Sequence, residues 1–199
     1  MVQNLGGATW RSIQADAASW RPTEKVDGAS LTVWRTRDGV LHVAGRNWEL
    51  DPATSNIYWQ AVALSKIGER LEVGQWLQGE VAGPGVQGNP LKLDTVRVVA
   101  FGFGTFEVER PSIDTTSRTP LDAWPSWVTE LRAPIHGFAL PAAIGEAIEQ
   151  VETLKSLLAP GRDAEGIVWT HADGSSLSGL GDRPVWKSIS ARYLTKHRG

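Results

Sequence analysis

The sequence contains no cysteine, and it has no apolar run near the roughly 18 residues that a membrane-spanning helix needs. The missing thiols exclude disulfide bonds, cysteine-ligated metals and a thiol nucleophile. The N-terminal residues have neither a basic segment nor an apolar one, so they do not form a signal peptide. Together these absences predict a cytoplasmic protein with no membrane partner.

The sequence also lacks a strong net charge. Its formal net charge is −2 at pH 7, so the molecule has no global basic field that would attract nucleic acid. Any phosphate-binding surface must therefore be a local patch. One candidate is the segment 183–199, which has no Asp or Glu and contains Arg183, Lys187, Arg192, Lys196, His197 and Arg198. A solvated basic tail is the alternative interpretation.

Tryptophan, in contrast, is abundant, with 10 copies in the chain. Large aromatic side chains do much of the packing in protein cores, so most of these residues are predicted to be buried. One or two could instead stack on nucleic-acid bases, and their spacing alone does not show which.

Two β-prone runs, 31–35 and 40–44, are joined by Thr36-Arg37-Asp38-Gly39. The Asp-Gly pair predicts that they form a hairpin. Asp51-Pro52 then predicts the start of a helix that continues to about Leu71, because an Asp cap and a proline in the first turn favour helix initiation.

A strand carrying Glu80 is predicted over 75–82. Residues 83–90 are predicted to be a loop, because three glycines and two prolines in this stretch exclude regular structure. The runs 96–101 and 105–108 predict two further strands, and Gly102 and Gly104 are expected to separate them.

The second half of the chain predicts short helices and strands in alternation. A short helix is expected around 121–131, and the apolar spacing over 142–158 predicts a longer one. The runs 165–169 and 184–189 predict strands. The whole pattern indicates an α+β fold in which antiparallel sheets are flanked by helices.

The stretch Lys25-Val26-Asp27-Gly28 is the most informative local pattern. In an extended segment, alternate side chains point to opposite faces, so Lys25 and Asp27 would lie on one side. Gly28 would let the backbone turn or approach a ligand closely. The pattern predicts an amine presented beside a carboxylate, although a surface lysine before a turn explains these four residues equally well.

Six segments follow one another in an order that is far more specific than any one of them. They are Glu24–Gly28, Gly45–Leu50, Gly79–Pro90, Phe106–Val108, Glu165–Trp169 and Trp186–Leu194. This set resembles the covalent nucleotidyltransferases, which comprise DNA ligases, RNA ligases and mRNA capping enzymes. It is most similar to ATP-dependent RNA ligases, because of the Gly79–Pro90 segment and the Lys-x-Ile-Ser-x-Arg-Tyr-Leu ending. The resemblance covers about residues 23–196.

The resemblance implies a ligase-type adenylation domain with an ATP-grasp-like fold. It implies a three-step reaction, in which a lysine takes AMP from ATP, passes it to a 5′-phosphate end, and a 3′-hydroxyl then displaces the AMP. Lys25 would be the nucleophile. A free lysine has a pKa of about 10.4, so it attacks only if nearby cations or desolvation remove its proton. Arg46, Lys187 and a divalent metal are the expected cations.

The resemblance also assigns the remaining roles. Lys187 would contact the α-phosphate, and Glu165 would hold Mg²⁺ or Mn²⁺, with Asp27 as a metal ligand or a scaffold residue. The nucleotide site would further contain Glu24, Arg46, Glu80 on the ribose and Phe106 stacked on the purine. The residues expected at the RNA end or nicked duplex, or at a DNA substrate, are Arg46, Gln87, Asn89, Arg192 and Lys196.

The chain departs from the family pattern in three places. Ile189 occupies a position where many relatives have a second lysine, and Phe106-Glu107 replaces the usual Phe-Asp. Only 24 residues precede Lys25, so we expect residues 1–199 to be a single nucleotidyltransferase domain without an OB-fold. Three explanations follow: the chain is a minimal single-domain ligase, a partner protein supplies a clamp for the nucleic acid, or the chain is a fragment.

Other interpretations of the sequence are a DNA or mixed polynucleotide ligase, and a subunit that binds nucleic-acid ends without turnover. A capping guanylyltransferase is a more distant alternative. Labelling with ATP or GTP, and sealing assays on RNA and DNA nicks, would separate these possibilities.

Overall fold

The computed structural model describes residues 5–109, 116–173, 180 and 184–198. In chain order, the helices and strands are α1 (Gly7–Ala15), β1 (Trp20–Lys25), β2 (Ala29–Arg35), β3 (Leu41–Ala44), α2 (Ile57–Leu64), α3 (Ile67–Arg70), β4 (Gln75–Ala82), β5 (Arg97–Phe106), β6 (Thr116–Arg118), α4 (Ser126–Thr129), α5 (Ile144–Glu152), β7 (Gly166–His171), β8 (Val185–Ile189) and α6 (Ala191–Arg198). Within these ranges no helix is long and apolar enough to cross a membrane.

The chain divides into two compact units. The first unit consists of Met1–Val26, Pro120–Asp122 and Ala133–Gly199, and the second consists of Asp27–Thr119 and Ala123–Arg132. Each unit contains one antiparallel sheet and several helices, as the α+β prediction requires. The predicted fold class is therefore confirmed.

The first unit is built on a three-stranded sheet with the order β1-β7-β8. One face of this sheet packs against residues of α1 and α5 in a core of large apolar side chains. The buried members of this core are Ile13, Trp20, Ala147, Val151, Ile167, Trp169 and Trp186. Three of them are tryptophans, as the composition predicted.

The second unit is built on a five-stranded sheet with the order β3-β2-β4-β5-β6. The predicted hairpin is present as β2 and β3, with Gly39 in its turn at a φ of 81°. One row across the sheet pairs His42, Trp34, Trp76, Gly104 and Arg118 in register, and the Arg118 guanidinium lies 4.8 Å from the Trp76 ring centroid.

The predicted helix from Asp51 to Leu71 is wrong at its start and is interrupted. Asp51 instead closes a turn with Ala53 and Thr54. The helix begins at Ile57, because the side chain of Asn56 accepts hydrogen bonds from the next backbone amides and caps it. It is interrupted at Lys66, whose left-handed φ of 53° separates α2 from α3.

The two strands predicted over 96–108 are one continuous strand, β5. Gly102 and Gly104 lie within this strand, where the absence of a side chain makes room for Trp76 and for residues of β6. A Cβ at position 104 would lie 1.9 Å from the Ser117 carbonyl oxygen and 2.7 Å from the Trp76 ring. Glycine in this strand therefore indicates close approach and not a chain break.

The helix predicted over 142–158 is shorter, since α5 ends at Glu152. Farther along, the backbone amides of Leu157 and Leu158 bind the Glu24 carboxylate, so these two residues belong to a loop and not to the helix. The helix predicted around 121–131 is reduced to a short 3-10 turn at Leu121–Ala123 and α4. The end of the basic segment, for which no helix was predicted, forms α6.

Candidate active site

Lys25 is the last residue of β1, and its ammonium group is paired with Glu165. The Nζ–Oε2 distance is 2.6 Å, and the side chains of Lys25 and Glu165 are 18% and 1% exposed. Gly166, the next residue, is in register with Lys25 across β1 and β7. The structure therefore brings together two of the three residues that the sequence assigned to catalysis.

Lys187, the third predicted catalytic residue, lies on the same sheet face as Lys25. Position 25 is in register with Gly166 and Ile189, and position 23 with Val168 and Lys187. Residues in register point to the same face, and so do residues two apart on one strand. The exposed side chain of Lys187 therefore extends the face on which the amine of Lys25 lies.

Gly166 lies between these two lysines in the middle strand. A Cβ there would lie 2.1 Å from the carbonyl oxygen of Ser188 and 2.9 Å from the Cα of Ile189. Only glycine permits this close approach of β7 to β8. The glycine of the predicted Glu-Gly segment thus positions the sheet between the two lysines.

Glu24 points to the opposite face of β1, because neighbouring residues of a strand alternate. It is 2% exposed, and its carboxylate accepts hydrogen bonds from the Ser156 hydroxyl, from Leu157 N at 2.7 Å and from Leu158 N at 3.4 Å. His136 Nε2 lies 3.7 Å from its Oε2 atom. The sequence placed Glu24 at the nucleotide, whereas the structure places its carboxylate against a loop of its own unit.

Helix α6 carries the two basic residues predicted to bind nucleic acid in this unit. Lys196 Nζ lies 3.1 Å from Asp163, and Lys155 Nζ lies 2.5 Å from the same carboxylate. Hydrogen bonds from Lys155 and then Lys196 lower the pKa of Asp163 to about 2. Arg192 is exposed at the start of the helix. Arg183, also in the predicted basic patch, lies outside the described residues.

Glu80 of the second unit is positioned by a β-bulge in the pairing of β4 with β5. The register shifts between Gln78 and Gly79, so that Phe101 is the extra residue, opposite this step. Bulges re-aim side chains and often occur beside active sites. Glu80 and Phe101 are both half-buried, and Glu80 is in register with Val99, two residues from Phe101.

Phe106 lies at the other end of the same ladder. In β5, Phe106 follows Thr105, and Thr105 pairs with Gln75 at the start of β4. Glu80, near the end of β4, pairs instead with Val99 of β5. Seven residues of extended strand separate positions 99 and 106, which corresponds to roughly 23 Å. The prediction that Phe106 and Glu80 hold one nucleotide is therefore corrected by the strand register. Phe101 is the aromatic residue near Glu80 that the sequence analysis missed.

Gly28 is required by close packing and not by a turn. A Cβ at this position would lie 2.5 Å from the carbonyl oxygen of Val81 and 3.0 Å from the Cβ of Glu80. The glycine of the Lys-x-Asp-Gly pattern thus lets the chain pass directly beside Glu80. Asp27, which precedes it, is buried with 5% exposure.

The 83–90 segment is a loop, as predicted, and it consists of successive tight turns. Val86 N bonds the Gly83 carbonyl, and Asn89 N bonds the Val86 carbonyl. Asn89 uses both ends of its side-chain amide on the backbone of Leu93, at 2.9 and 3.0 Å. The exposed Gln87 is held at a left-handed φ of 46°. The structure thus gives Asn89 a loop-closing contact, and Gln87 is the side chain that faces outward.

Arg46 lies in a tight turn after β3, together with an exposed tryptophan. The turn is closed by a hydrogen bond of 2.9 Å from Gly45 N to the Trp48 carbonyl. Trp48 is 79% exposed, whereas the other large apolar side chains described as exposed range from 36% to 59%. Among the ten tryptophans, the structure thus identifies Trp48 as available for stacking, which the spacing in the sequence did not reveal.

No group of three or more His, Asp and Glu side chains in the described part of the chain is arranged to hold a metal ion. Mg²⁺ commonly binds through only one or two carboxylates and completes its shell with water and substrate phosphates. The hard oxygens of the buried Glu165 carboxylate suit such an ion, although one of them, Oε2, is already bonded to Lys25. These residues fit a metal that arrives with a phosphate ligand.

Comparison with known proteins gave two consistent results. The RNA ligase family model matches residues 18–189. Three structures of Naegleria gruberi RNA ligase are similar, two of them mutants with ATP and Mn and one with PPi. Their TM-scores are 0.77, 0.74 and 0.73, at 25%, 27% and 28% identity over 100%, 94% and 94% of this chain.

The chain spans 58%, 55% and 54% of those three chains, which is just over half of their length. No curated protein matches the sequence. The family match covers all eight described strands, and the matched range includes Lys25, Glu80, Glu165 and Lys187. The chain therefore belongs to the RNA ligase family.

Proposed function

We propose that this chain is an ATP-dependent RNA ligase that joins a 3′-hydroxyl to a 5′-phosphate through a lysyl-AMP intermediate. The observation that carries the proposal is the Lys25–Glu165 pair, with Nζ and Oε2 2.6 Å apart at the end of β1. Family membership and the ATP and Mn in the Naegleria structures support ATP as the substrate and a divalent metal as the cofactor.

In the first proposed step, Lys25 Nζ attacks the α-phosphorus of ATP. A nitrogen–phosphorus bond forms, the bond between the α-phosphorus and the bridging oxygen breaks, and pyrophosphate leaves. The amine must first lose a proton, and Glu165 Oε2 is the acceptor already within hydrogen-bond distance. Lys187, on the same sheet face, would offset the charge of the α-phosphate.

In the second and third steps, an oxygen of a 5′-phosphate displaces Lys25 from the adenylyl phosphorus and regenerates the amine. The 3′-hydroxyl oxygen then attacks the 5′-phosphorus, the new phosphodiester forms, and AMP leaves. A metal bound by Glu165 would supply positive charge beside the phosphates. Asp27 is a second proposed metal or scaffold residue.

For the nucleotide we propose Glu80 as the ribose contact and Phe101 as the aromatic wall. The strand register favours Phe101 over Phe106, because Phe101 lies at the bulge near Glu80. For the nucleic acid we propose Arg46 and Trp48 in one exposed turn, with Gln87, Arg192 and Lys196 as further contacts. A guanidinium beside an exposed indole suits a phosphate and an unstacked base.

Intact-mass measurement tests the first step. The purified protein, incubated with ATP and Mg²⁺, is expected to gain the mass of one AMP, and pyrophosphate is expected to remove it. Absence of the adduct in both Mg²⁺ and Mn²⁺ would contradict the proposed ligase and favour an end-binding subunit without turnover. Labelling by GTP in place of ATP would favour a capping enzyme.

Sealing assays test the later steps. Matched nicks with RNA or DNA on the 3′-hydroxyl side are expected to be sealed faster when that side is RNA. Equal rates would favour a mixed polynucleotide ligase. If the adduct forms but neither nick is sealed, the later steps need a nucleic-acid clamp from outside residues 1–199, and adding candidate partner proteins becomes the next experiment.

A further inference from the structure

We propose that Glu24 is a positioning residue that holds Glu165 in place beside Lys25, and this inference rests on the proposed function. Glu24 and Lys25 are adjacent in β1 and point to opposite faces. Lys25 bonds the Glu165 side chain, and Glu24 bonds the loop that leads to it. Glu24 and Lys25 therefore hold the chain segment from the loop to Glu165 at two points.

The loop in question is the 153–164 loop, which connects α5 to Glu165. It is a closed structure, because Ser156 N bonds the Arg162 carbonyl at 2.9 Å and Ala164 N bonds the Leu154 carbonyl at 3.0 Å. The Lys155–Asp163 ion pair links the same two sides. A shift at residues 156–158 is therefore transmitted to residue 164, which directly precedes Glu165.

Glu24 binds the tip of this loop. Its Oε1 accepts from the Ser156 hydroxyl, and its Oε2 accepts from the backbone amides of Leu157 and Leu158. The Ser156 hydroxyl also accepts from Ala159 N at 2.9 Å. Both carboxylate oxygens are thus used to order the tip, and a buried carboxylate that lost these donors would be strongly destabilised.

The backbone on the C-terminal side of Glu165 is fixed by other contacts. The Glu165 carbonyl oxygen accepts a hydrogen bond of 2.9 Å from Ser190 N, and Gly166 begins β7. The backbone on the C-terminal side is therefore set by the sheet, and the backbone on the N-terminal side is set by the 153–164 loop. Glu24 binds the tip of this loop from outside the loop.

This arrangement makes a different prediction from direct binding of the nucleotide by Glu24. If Glu24 acts through the loop, its loss disturbs the proton acceptor of Lys25 and lowers the maximal rate of lysine adenylylation. The ATP concentration that gives half of this rate stays the same. If Glu24 binds the nucleotide directly, that concentration rises instead.

The experiment compares Glu24→Gln with Ser156→Ala and with the matched control Glu146→Gln. Glu146 is also a carboxylate of the first unit that accepts from a backbone amide, Ala142 N at 2.9 Å, but it lies at the start of α5. Single-turnover adenylylation is followed by intact mass at several ATP concentrations and pH values.

We expect Glu24→Gln to lower the maximal rate about tenfold to a hundredfold, because even a small misplacement of a catalytic group can cost about a hundredfold. The half-saturating ATP concentration should stay within a factor of two, and the pH profile of the rate should shift. Ser156→Ala should show a smaller loss in the same direction, and Glu146→Gln should match the wild type. A rise in half-saturating ATP, or unchanged kinetics, would overturn the inference.

Hydrogen exchange gives a second measurement that needs no activity. Amides of residues 156–164 are expected to exchange faster in Glu24→Gln and Ser156→Ala than in the wild type, and not in Glu146→Gln. Unchanged exchange there would overturn the positioning role. A wild-type protein that never forms the AMP adduct would instead overturn the proposed function, so the two failures are distinguishable.

Discussion

Single residues of the candidate site depend on their partners, and Lys25 is the clearest case. Its neighbour Glu165 has a side chain that is 1% exposed, so removal of the amine would leave a buried carboxylate without this partner. Breaking such a pair typically costs about 3–5 kcal/mol. Loss of adduct in Lys25→Ala would therefore mix a chemical effect with a loss of stability.

Lys25→Arg separates the two effects. The guanidinium keeps the positive charge beside Glu165 but cannot act as the nucleophile at neutral pH, because it stays protonated. We expect no AMP adduct by intact mass, and a midpoint of thermal unfolding close to that of the wild type. Lys66→Asn, an exposed lysine at a left-handed φ that asparagine accepts, is the control and should form the adduct normally. An adduct on Lys25→Arg would place the nucleophile elsewhere.

Asp163 gives a pH-dependent prediction at the same scale. Its pKa falls from 3.8 to about 2, chiefly through hydrogen bonds from Lys155 and Lys196. The full shift corresponds to at most about 2.4 kcal/mol, and screening at this partly exposed site reduces it to about 1 kcal/mol. A lowered pKa stabilises the fold above pH 3.8, and this contribution is lost as the pH falls through 2.

Asp163→Asn is therefore expected to lower the free energy of unfolding by about 1 kcal/mol at pH 7. The difference from the wild type should shrink between pH 4 and pH 2, as measured by urea unfolding. It should also shrink at 1 M salt, because salt screens exposed ion pairs. A difference that persists unchanged at pH 2 would mean that the aspartate acts through shape and not through charge.

At the scale of secondary-structure elements, glycine has opposite roles in β5 and α5. Gly104→Ala would push a Cβ against the Ser117 carbonyl and the Trp76 ring, and should disrupt the pairing of β5 with β6. Overpacking of this kind costs about 1–3 kcal/mol or more. The expected result is a clear loss in the free energy of unfolding, measured by urea titration.

Gly145→Ala is the matched control in α5. A Cβ there has no neighbour within 4 Å, so the substitution should stabilise the protein by about 0.5–1 kcal/mol, because alanine favours helix over glycine. If both variants lost the same stability, the close approach at Gly104 would not be the cause.

At the scale of the whole molecule, the small net charge limits how nucleic acid can bind. With a net charge of −2, affinity must come from a few local cations. The proposed contacts include three, namely Arg46, Arg192 and Lys196, and Lys196 is partly engaged by Asp163. For single strands, two to three phosphate contacts correspond to a slope of log K against log salt of about −1.5 to −2.

Fluorescence anisotropy with a 5′-phosphorylated RNA oligomer at several salt concentrations measures this slope. Arg46→Ala and Arg192→Ala should each make it less steep by about 0.7, with the exposed Arg37→Ala of the hairpin turn as a control. A slope steeper than about −4 would indicate a larger basic surface than the one proposed, since each phosphate contact contributes about −0.7.

Local sequence determined much of this protein. The hairpin at Asp38-Gly39 and the strand carrying Glu80 formed as predicted, because turn chemistry and alternation act over a few neighbouring residues. The ordered segments indicated the RNA ligase family, which the family match confirmed. The predictions failed where residues distant in sequence make contact. Gly104 was predicted to break a strand, but it makes room for the Trp76 ring. The α5 helix was predicted to reach residue 158, but Glu24 binds Leu157 in a loop beyond Glu152.

Tertiary structure alone decided which predicted residues meet. Sequence order placed Lys25 and Glu165 140 positions apart, and only the pairing of β1 with β7 puts their side chains in contact. Strand register, and not spacing along the chain, separated Phe106 from Glu80 and brought Phe101 to the bulge. The physical reason is that side-chain types and local periods are written in the sequence, whereas register and burial depend on how distant strands pair.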